Sequence, residues 1–142
     1  MPKTSELILG SWTLVESRLF DADKQPVTDP LAGSSGIIEY SENNRMSVQI
    51  MPRDYAARCA KQEISVNDYH AYFGSYSIDE SKGIVIHEVE GSNHFAMIGK
   101  DLTRKVTFFN DNKSLSLCTE PAEDVFGDGK ILYHDAVWQK MS

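Results

Sequence analysis

Short runs in which apolar and polar residues alternate, each ended by a cluster of turn-forming residues, recur along most of this chain. A period of two is what a strand with one buried face requires, whereas a helix needs 3.6. The runs cover residues 11–20, 36–40, 46–51, 72–78, 83–89, 103–109, 115–119 and 131–140. The connections "SENNR", "DESKG" and "NDNK" are short and rich in Asn, Asp, Ser and Gly, so the runs they join are expected to pair as hairpins. "DADKQPVTDPLAGSSG" and "EPAEDVFGDGK" read as longer polar loops. Only "RDYAARCAKQEISVNDYH", between the third and fourth runs, loses the period, and its alanines and charges predict one short helix there. The expected fold is all-β. Eight antiparallel strands in a chain of this size can close into a barrel, which removes exposed edges and leaves an interior of ligand size. A flattened sandwich obeys the same period, but the dominance of consecutive hairpins favours the barrel.

The bulk properties narrow the partners. At 142 residues, positions 1–142 form one domain that can bury a core without metal or disulfide. A net charge of −7, with 14 scattered Lys and Arg, argues against nucleic acid and against an anionic membrane, both of which demand clustered cations. Cys59 and Cys118 have no zinc-motif spacing. The opening "MPKTSELILGSW" lacks the apolar stretch of a secretory signal, and no segment approaches a transmembrane length. The expectation is a soluble, cytoplasmic protein. There is no nucleophile elbow, no phosphate-binding glycine loop and no specific Ser-His-Asp spacing.

Strand alternation then sorts side chains by face. In "IHEVEGSNHF", Val85, His87, Val89 and Gly91 share one face, and Ile86, Glu88 and Glu90 the other. Buried unpaired carboxylates are costly, so the glutamates belong outside and His87 inside, between valines. Desolvation there would keep the imidazole neutral, as a base, an acceptor, or simply a buried ring bonded to a neighbour. The same counting turns Tyr72 and Tyr76 inward on one strand, Arg104 and Phe108 on another, and His134 with Trp138 on the last. Tyr40 shares a face with Ile38, and Glu16 follows Trp12 inward unless a bulge flips the strand. On the strand 46–51 the apolar set Met46, Val48 and Ile50 is expected inside and Gln49 outside. An inward guanidinium needs an anionic partner: Glu16 or backbone carbonyls if Arg104 is structural, a ligand carboxylate or enolate if it is functional. Zinc would need three convergent ligands. His70, His87, His94 and His134 lie on four different elements, and nothing in the sequence brings them together, so no metal is expected.

"LGSWTLVES" is similar to the Gly-x-Trp opening of lipocalins and other calycins, in which the Trp plugs the closed end of a barrel. The ordered series "GIIEY", "MSVQI", "AYFGSYSID", "HEVEGS", "TRKVTF", "LSLCT" and "AVWQK" resembles the bacterial and fungal lipocalin-like domain family over almost the whole chain. The resemblance implies an eight-stranded antiparallel calycin barrel with an internal cavity. It also implies either binding of small apolar molecules or cofactor-independent isomerisation or cyclisation in natural-product biosynthesis. Lipocalins often place an Arg of the last strand across the opening Trp; here only Lys140 is available for that position. The sequence-based expectation is a carrier of a small, largely apolar molecule, contacted by Glu16, Tyr40, Tyr72, Tyr76, His87, Arg104, Phe108, His134 and Trp138. The alternative is an isomerase or cyclase acting on a polyketide- or terpenoid-like substrate. There His87 would be the acid or base and Arg104, with the tyrosines, would stabilise an oxyanion. A third option is a structural, oligomerising domain whose interior is filled by its own side chains. No cofactor is expected, and a homodimer remains open.

Overall fold

A computed structural model describes residues 2–29, 31–65, 68–119, 122–123 and 131–141. The long strands are β1 (Gly10–Asp21), β3 (Ser35–Tyr40), β4 (Arg45–Met51), β5 (His70–Asp79), β6 (Ile84–Ser92), β7 (Asp101–Phe109), β8 (Ser114–Thr119) and β10 (Ile131–Lys140). Two short ones, β2 (Pro26–Val27) and β9 (Ala122–Glu123), pair at the margins of β1 and β10. The eight long strands pair in sequence order, all antiparallel, and β1 also pairs with β10, which closes the barrel. Two helices flank it: α1 (Thr4–Leu7) before the first strand and α2 (Tyr55–Ala60) between the third and fourth long strands, where the alternation fails. The closed barrel and the single helix in that connection match the expectation from the sequence; α1, β2 and β9 were not anticipated. None of the described helices is long and apolar enough to cross a membrane.

The core follows the alternation. Met46, Val48 and Ile50 are buried while Arg45, Gln49 and Met51 are exposed, and Val85, His87 and Val89 are buried while Glu88 and Glu90 are exposed. Trp12 is fully buried. Its indole N–H donates to the Ile8 carbonyl at 2.9 Å, and the Phe108 ring lies 6.1 Å away. Lys140 takes the position over the indole, its ammonium 4.8 Å from the ring centroid, and it donates to the Leu9 carbonyl. Across the same end, the free N–H groups of Thr4 and Ser5 at the start of α1 bond the Glu80 carboxylate at 2.8 and 3.1 Å. This end of the barrel is plugged.

Two bulges break the alternation. On β1 the pairing with β10 slips between Leu14 and Glu16, leaving Val15 as the extra residue. Beyond it Ser17 and Leu19 turn inward, and Glu16 and Arg18 turn out. Glu16 is therefore not an interior residue, against the sequence expectation; the bulge reverses the strand's faces from that point. On β6 the pairing with β5 slips at Glu90, so Gly91 lies opposite the exposed Phe73 instead of joining Val89 on the inner face. Beside that bulge the backbones approach closely: a Cβ on Gly74 would sit 1.8 Å from the Glu88 carbonyl oxygen. Only glycine fits there. Gly74→Ala is expected to lower stability by about 3 kcal/mol, the upper range for overpacking. Gly99→Ala, at φ +85 but with nothing within 4 Å, should cost only about 1–2 kcal/mol of backbone strain. Urea denaturation of the two variants checks the difference, and equal losses would show that the bulge relaxes freely.

Candidate functional site

At the end of the barrel away from Trp12, the interior opens into a cavity of about 130 Å³. Leu31, Ile38, Val48, Ile50, Leu117 and Ala136 form its apolar walls; Tyr72, His70, His87, His94, Arg104, His134 and Trp138 bring the polar groups. All four histidines of the chain thus line one cavity. Strand pairing accounts for much of it: β4 and β5 set His70 opposite Ile50, β5 and β6 set His87 opposite Tyr76, the β6–β7 connection folds His94 back, and closure of β10 on β1 sets His134 opposite Leu19. His94 is the second residue after the end of β6, and its ring stacks on His70, centroids 4.6 Å apart and planes 21° from parallel.

His87 sits deepest, 1% exposed. Its Nε2 is 2.6 Å from the Tyr40 hydroxyl and its Nδ1 is 2.8 Å from the Tyr72 hydroxyl. Both ring nitrogens are occupied. Burial, with a contribution from the Arg104 charge, pushes its pKa down to about 3. Burial likewise raises both tyrosines, Tyr40 most, while Arg104 partly offsets the rise at Tyr72. His70 is pushed down to about 4, first by burial and then by His94 and His134. The His87 and His70 rings are therefore neutral at neutral pH.

Arg104 is the cation among them. Its guanidinium donates to the Thr103 carbonyl at 3.2 Å and forms no ion pair with a carboxylate among the described residues. Glu16, the structural partner considered from the sequence, lies on the outer face.

The fourth histidine is held differently. Inward rotation of Ser17 by the β1 bulge puts its hydroxyl 2.5 Å from His134 Nε2 and 2.5 Å from Asp29 Oδ2. The serine hydroxyl donates to Asp29 Oδ2, so toward His134 it is left as the acceptor of the imidazole N–H. The other Asp29 oxygen accepts the Leu31 N–H at 2.8 Å. Burial lowers the pKa of His134, and Asp29 opposes that shift. Ser17, Asp29 and His134 come together here, but the serine proton is committed to the aspartate and His134 cannot act as its base.

Of the residues anticipated from the sequence, Tyr72, His87, Arg104, His134 and Trp138 line the cavity, and Tyr40 stands directly behind His87. Glu16, Tyr76 and Phe108 do not. Tyr76 is buried, but its hydroxyl donates to the Ser41 carbonyl at 2.9 Å, near the plugged end. Phe108 packs on Trp12. His70, His94, Ser17 and Asp29 were missed as lining or supporting groups. Among the described residues no three His, Cys, Asp or Glu side chains converge closely enough to hold a metal ion.

Residues 9–141 match the family described as a lipocalin-like domain. The chain belongs to the lipocalin-like family. No curated protein matches the sequence. A lipocalin-like barrel with an internal cavity is, in general, an architecture for binding small molecules.

The buried histidines make stability pH-dependent. A histidine in the unfolded chain titrates near ~6.5, whereas His87 and His70 in the fold titrate at about 3 and about 4. Both folded values are depressed, so their contribution is complete above the unfolded value. As the pH falls below it, the unfolded chain binds more protons and stability drops, until the folded values are reached. The slope is at most about 1.4 kcal/mol per pH unit for each ring. Urea denaturation at about pH 7 and about pH 5 should show the loss, and His87→Leu should flatten it whatever its baseline stability. An unchanged slope would show that His87 does not contribute.

Proposed function

We propose that this lipocalin-like protein binds a small, largely apolar molecule in the open end of its barrel, and that Tyr72, His87, Arg104 and His134 orient it. The observation that carries the reading is the convergence of Arg104 and all four histidines on one otherwise apolar cavity. A few polar groups set in apolar walls are the usual composition of a ligand site. A cavity filled by the protein's own side chains would leave no such space.

Size limits the ligand. An engineered apolar cavity of about 150 Å³ holds benzene, so the 130 Å³ here accommodates roughly one ring. A larger molecule would extend through the mouth.

A cofactor-independent isomerase or cyclase, acting on a polyketide- or terpenoid-like intermediate, is the second reading, and one observation favours it. His134 lines the cavity and is anchored through Ser17 to Asp29 by one ring nitrogen, Nε2, which leaves its Nδ1 as an acceptor. In that reading His134, not His87, is the base, because both nitrogens of His87 are already bonded.

Toluene is a suitable first probe. Titrated into ¹⁵N-labelled protein, it should shift amides of β4, β5, β8 and β10 that flank the cavity. Ala136→Leu, which fills the space from a buried wall position, should weaken binding by about tenfold or more, and Val48→Phe, at a second buried wall position, serves if the first variant does not fold. Binding undiminished by either would place the ligand elsewhere.

A further inference from the structure

The hydrogen bonds around His87 have a direction. A neutral imidazole carries one N–H and one acceptor nitrogen, so of its two tyrosine partners one donates and the other accepts. Tyr40 is 2% exposed, and His87 Nε2, at 2.6 Å, is its hydroxyl's hydrogen-bond partner. If Nε2 carried the ring proton, the Tyr40 hydrogen would be buried with no acceptor, at a cost of about 1–3 kcal/mol. Tyr40 therefore donates to Nε2. Nδ1 then holds the ring proton and gives it to the Tyr72 oxygen at 2.8 Å. Tyr72 has its own hydrogen left, and Tyr72, unlike Tyr40, lines the cavity.

Arg104 lines the same cavity without a carboxylate partner among the described residues. Trp138, a third wall residue, has a buried indole N–H with no hydrogen-bond partner among them. Three donor groups therefore meet at this surface: the Tyr72 hydroxyl, the Arg104 guanidinium and the Trp138 indole. Among the described residues the carboxylate nearby, Asp29, already accepts from Ser17 and from the Leu31 N–H and lies 3.7 Å from His134 Nε2. His70 and His94 face the mouth stacked on each other, with His94 Nε2 donating to the Tyr69 carbonyl at 3.1 Å.

We infer that Tyr40, His87 and Tyr72 form a one-way hydrogen-bond chain that, beside Arg104, makes a subsite for a carboxylate, so that the ligand is a small apolar carboxylic acid bound as its anion. The inference rests on the reading that the cavity binds an apolar molecule, and it names that molecule's polar end. A carboxylate accepts from both Tyr72 and a guanidinium, and it neutralises a partly buried cation whose desolvation is otherwise uncompensated. An ammonium ligand would meet Arg104 with like charge, and the nearby carboxylate among the described residues, Asp29, is already occupied. Both tyrosines stay protonated at neutral pH, since burial raises them.

Three probes with the same ring separate the possibilities: toluene, benzoate and benzylamine, titrated at about neutral pH and followed by amide shifts. Benzoate should bind about tenfold or more tighter than toluene, and benzylamine more weakly than either. Tyr72→Phe and Arg104→Met should each lower affinity for benzoate by a larger factor than affinity for toluene, so that most of the benzoate-over-toluene preference is lost; Tyr72→Phe suffices should the arginine variant misfold. Independently of any ligand, the ¹⁵N shifts of His87 should report the proton on Nδ1. If toluene and benzoate both fail to bind, the cavity-binding reading fails with the inference. If toluene binds but benzoate gains nothing over benzylamine, or if His87 carries its proton on Nε2, the carboxylate subsite alone is wrong.

Discussion

The structure depends on closure of β1, which is hydrogen-bonded on both edges near its start: Trp12 and Thr13 pair with β3 on one side and with β10 on the other. Eight strands close only if one of them can serve both ends of the sheet, and a strand doing so has to bend. The extra residue at Val15 supplies the bend. It also divides β1 into halves with opposite facing. Before it, Trp12 goes into the plugged end; after it, Ser17 goes into the open end. One inserted residue therefore separates a solid, aromatic half of the barrel from a half that contains space and polar groups.

Space in the open half is retained because its polar side chains satisfy one another across the barrel instead of collapsing on apolar neighbours. Tyr40 and Tyr72 hold His87 from both sides, and Ser17 and Asp29 hold His134. Each ring is thereby oriented and kept from solvent without an unmatched hydrogen bond at its anchored nitrogen. Arg104 is the exception, a cation whose hydrogen-bonding capacity exceeds what its neighbours among the described residues supply. The imbalance sits at the cavity, where a ligand can correct it and the fold cannot.

Much of this was legible in the sequence because alternation is a strict constraint. It identified the eight long strands, the inward set on β4, and His87, Arg104 and Tyr72 as interior. What alternation gives is a face, not a depth. Tyr72 and Tyr76 point the same way but are four residues apart, about 13 Å along a strand, so one reaches His87 and the other reaches Ser41 at the plugged end. Arg104 and Phe108 differ in the same manner. That distinction could have been drawn by counting residues from Trp12 through the hairpins. The bulges could not: Val15 and Glu90 are ordinary strand residues, and their insertion is fixed by pairing with β10 and β5. They misdirected Glu16 and Gly91 and hid Ser17. The meeting of the histidines was equally out of reach, since it requires the register of four strand pairs at once.

The walls of the cavity are not equally firm. Most belong to strands tied into the ladder on both edges, and moving one would break many backbone hydrogen bonds together. Met97 and His94 instead come from the β6–β7 connection, whose short 3₁₀ turn (Phe95–Met97) contains no buried residue. Phe95 is 86% exposed. Displacing that turn costs little apolar burial, and its backbone bonds, such as Met97 N–H to the His94 carbonyl at 2.9 Å, are local and readily replaced by water. A ligand larger than one ring would therefore enlarge the cavity at this turn before it deformed the barrel. The deep Tyr72–Arg104 end would keep its geometry, so the subsite inferred there would be unaffected by the size of the rest of the molecule.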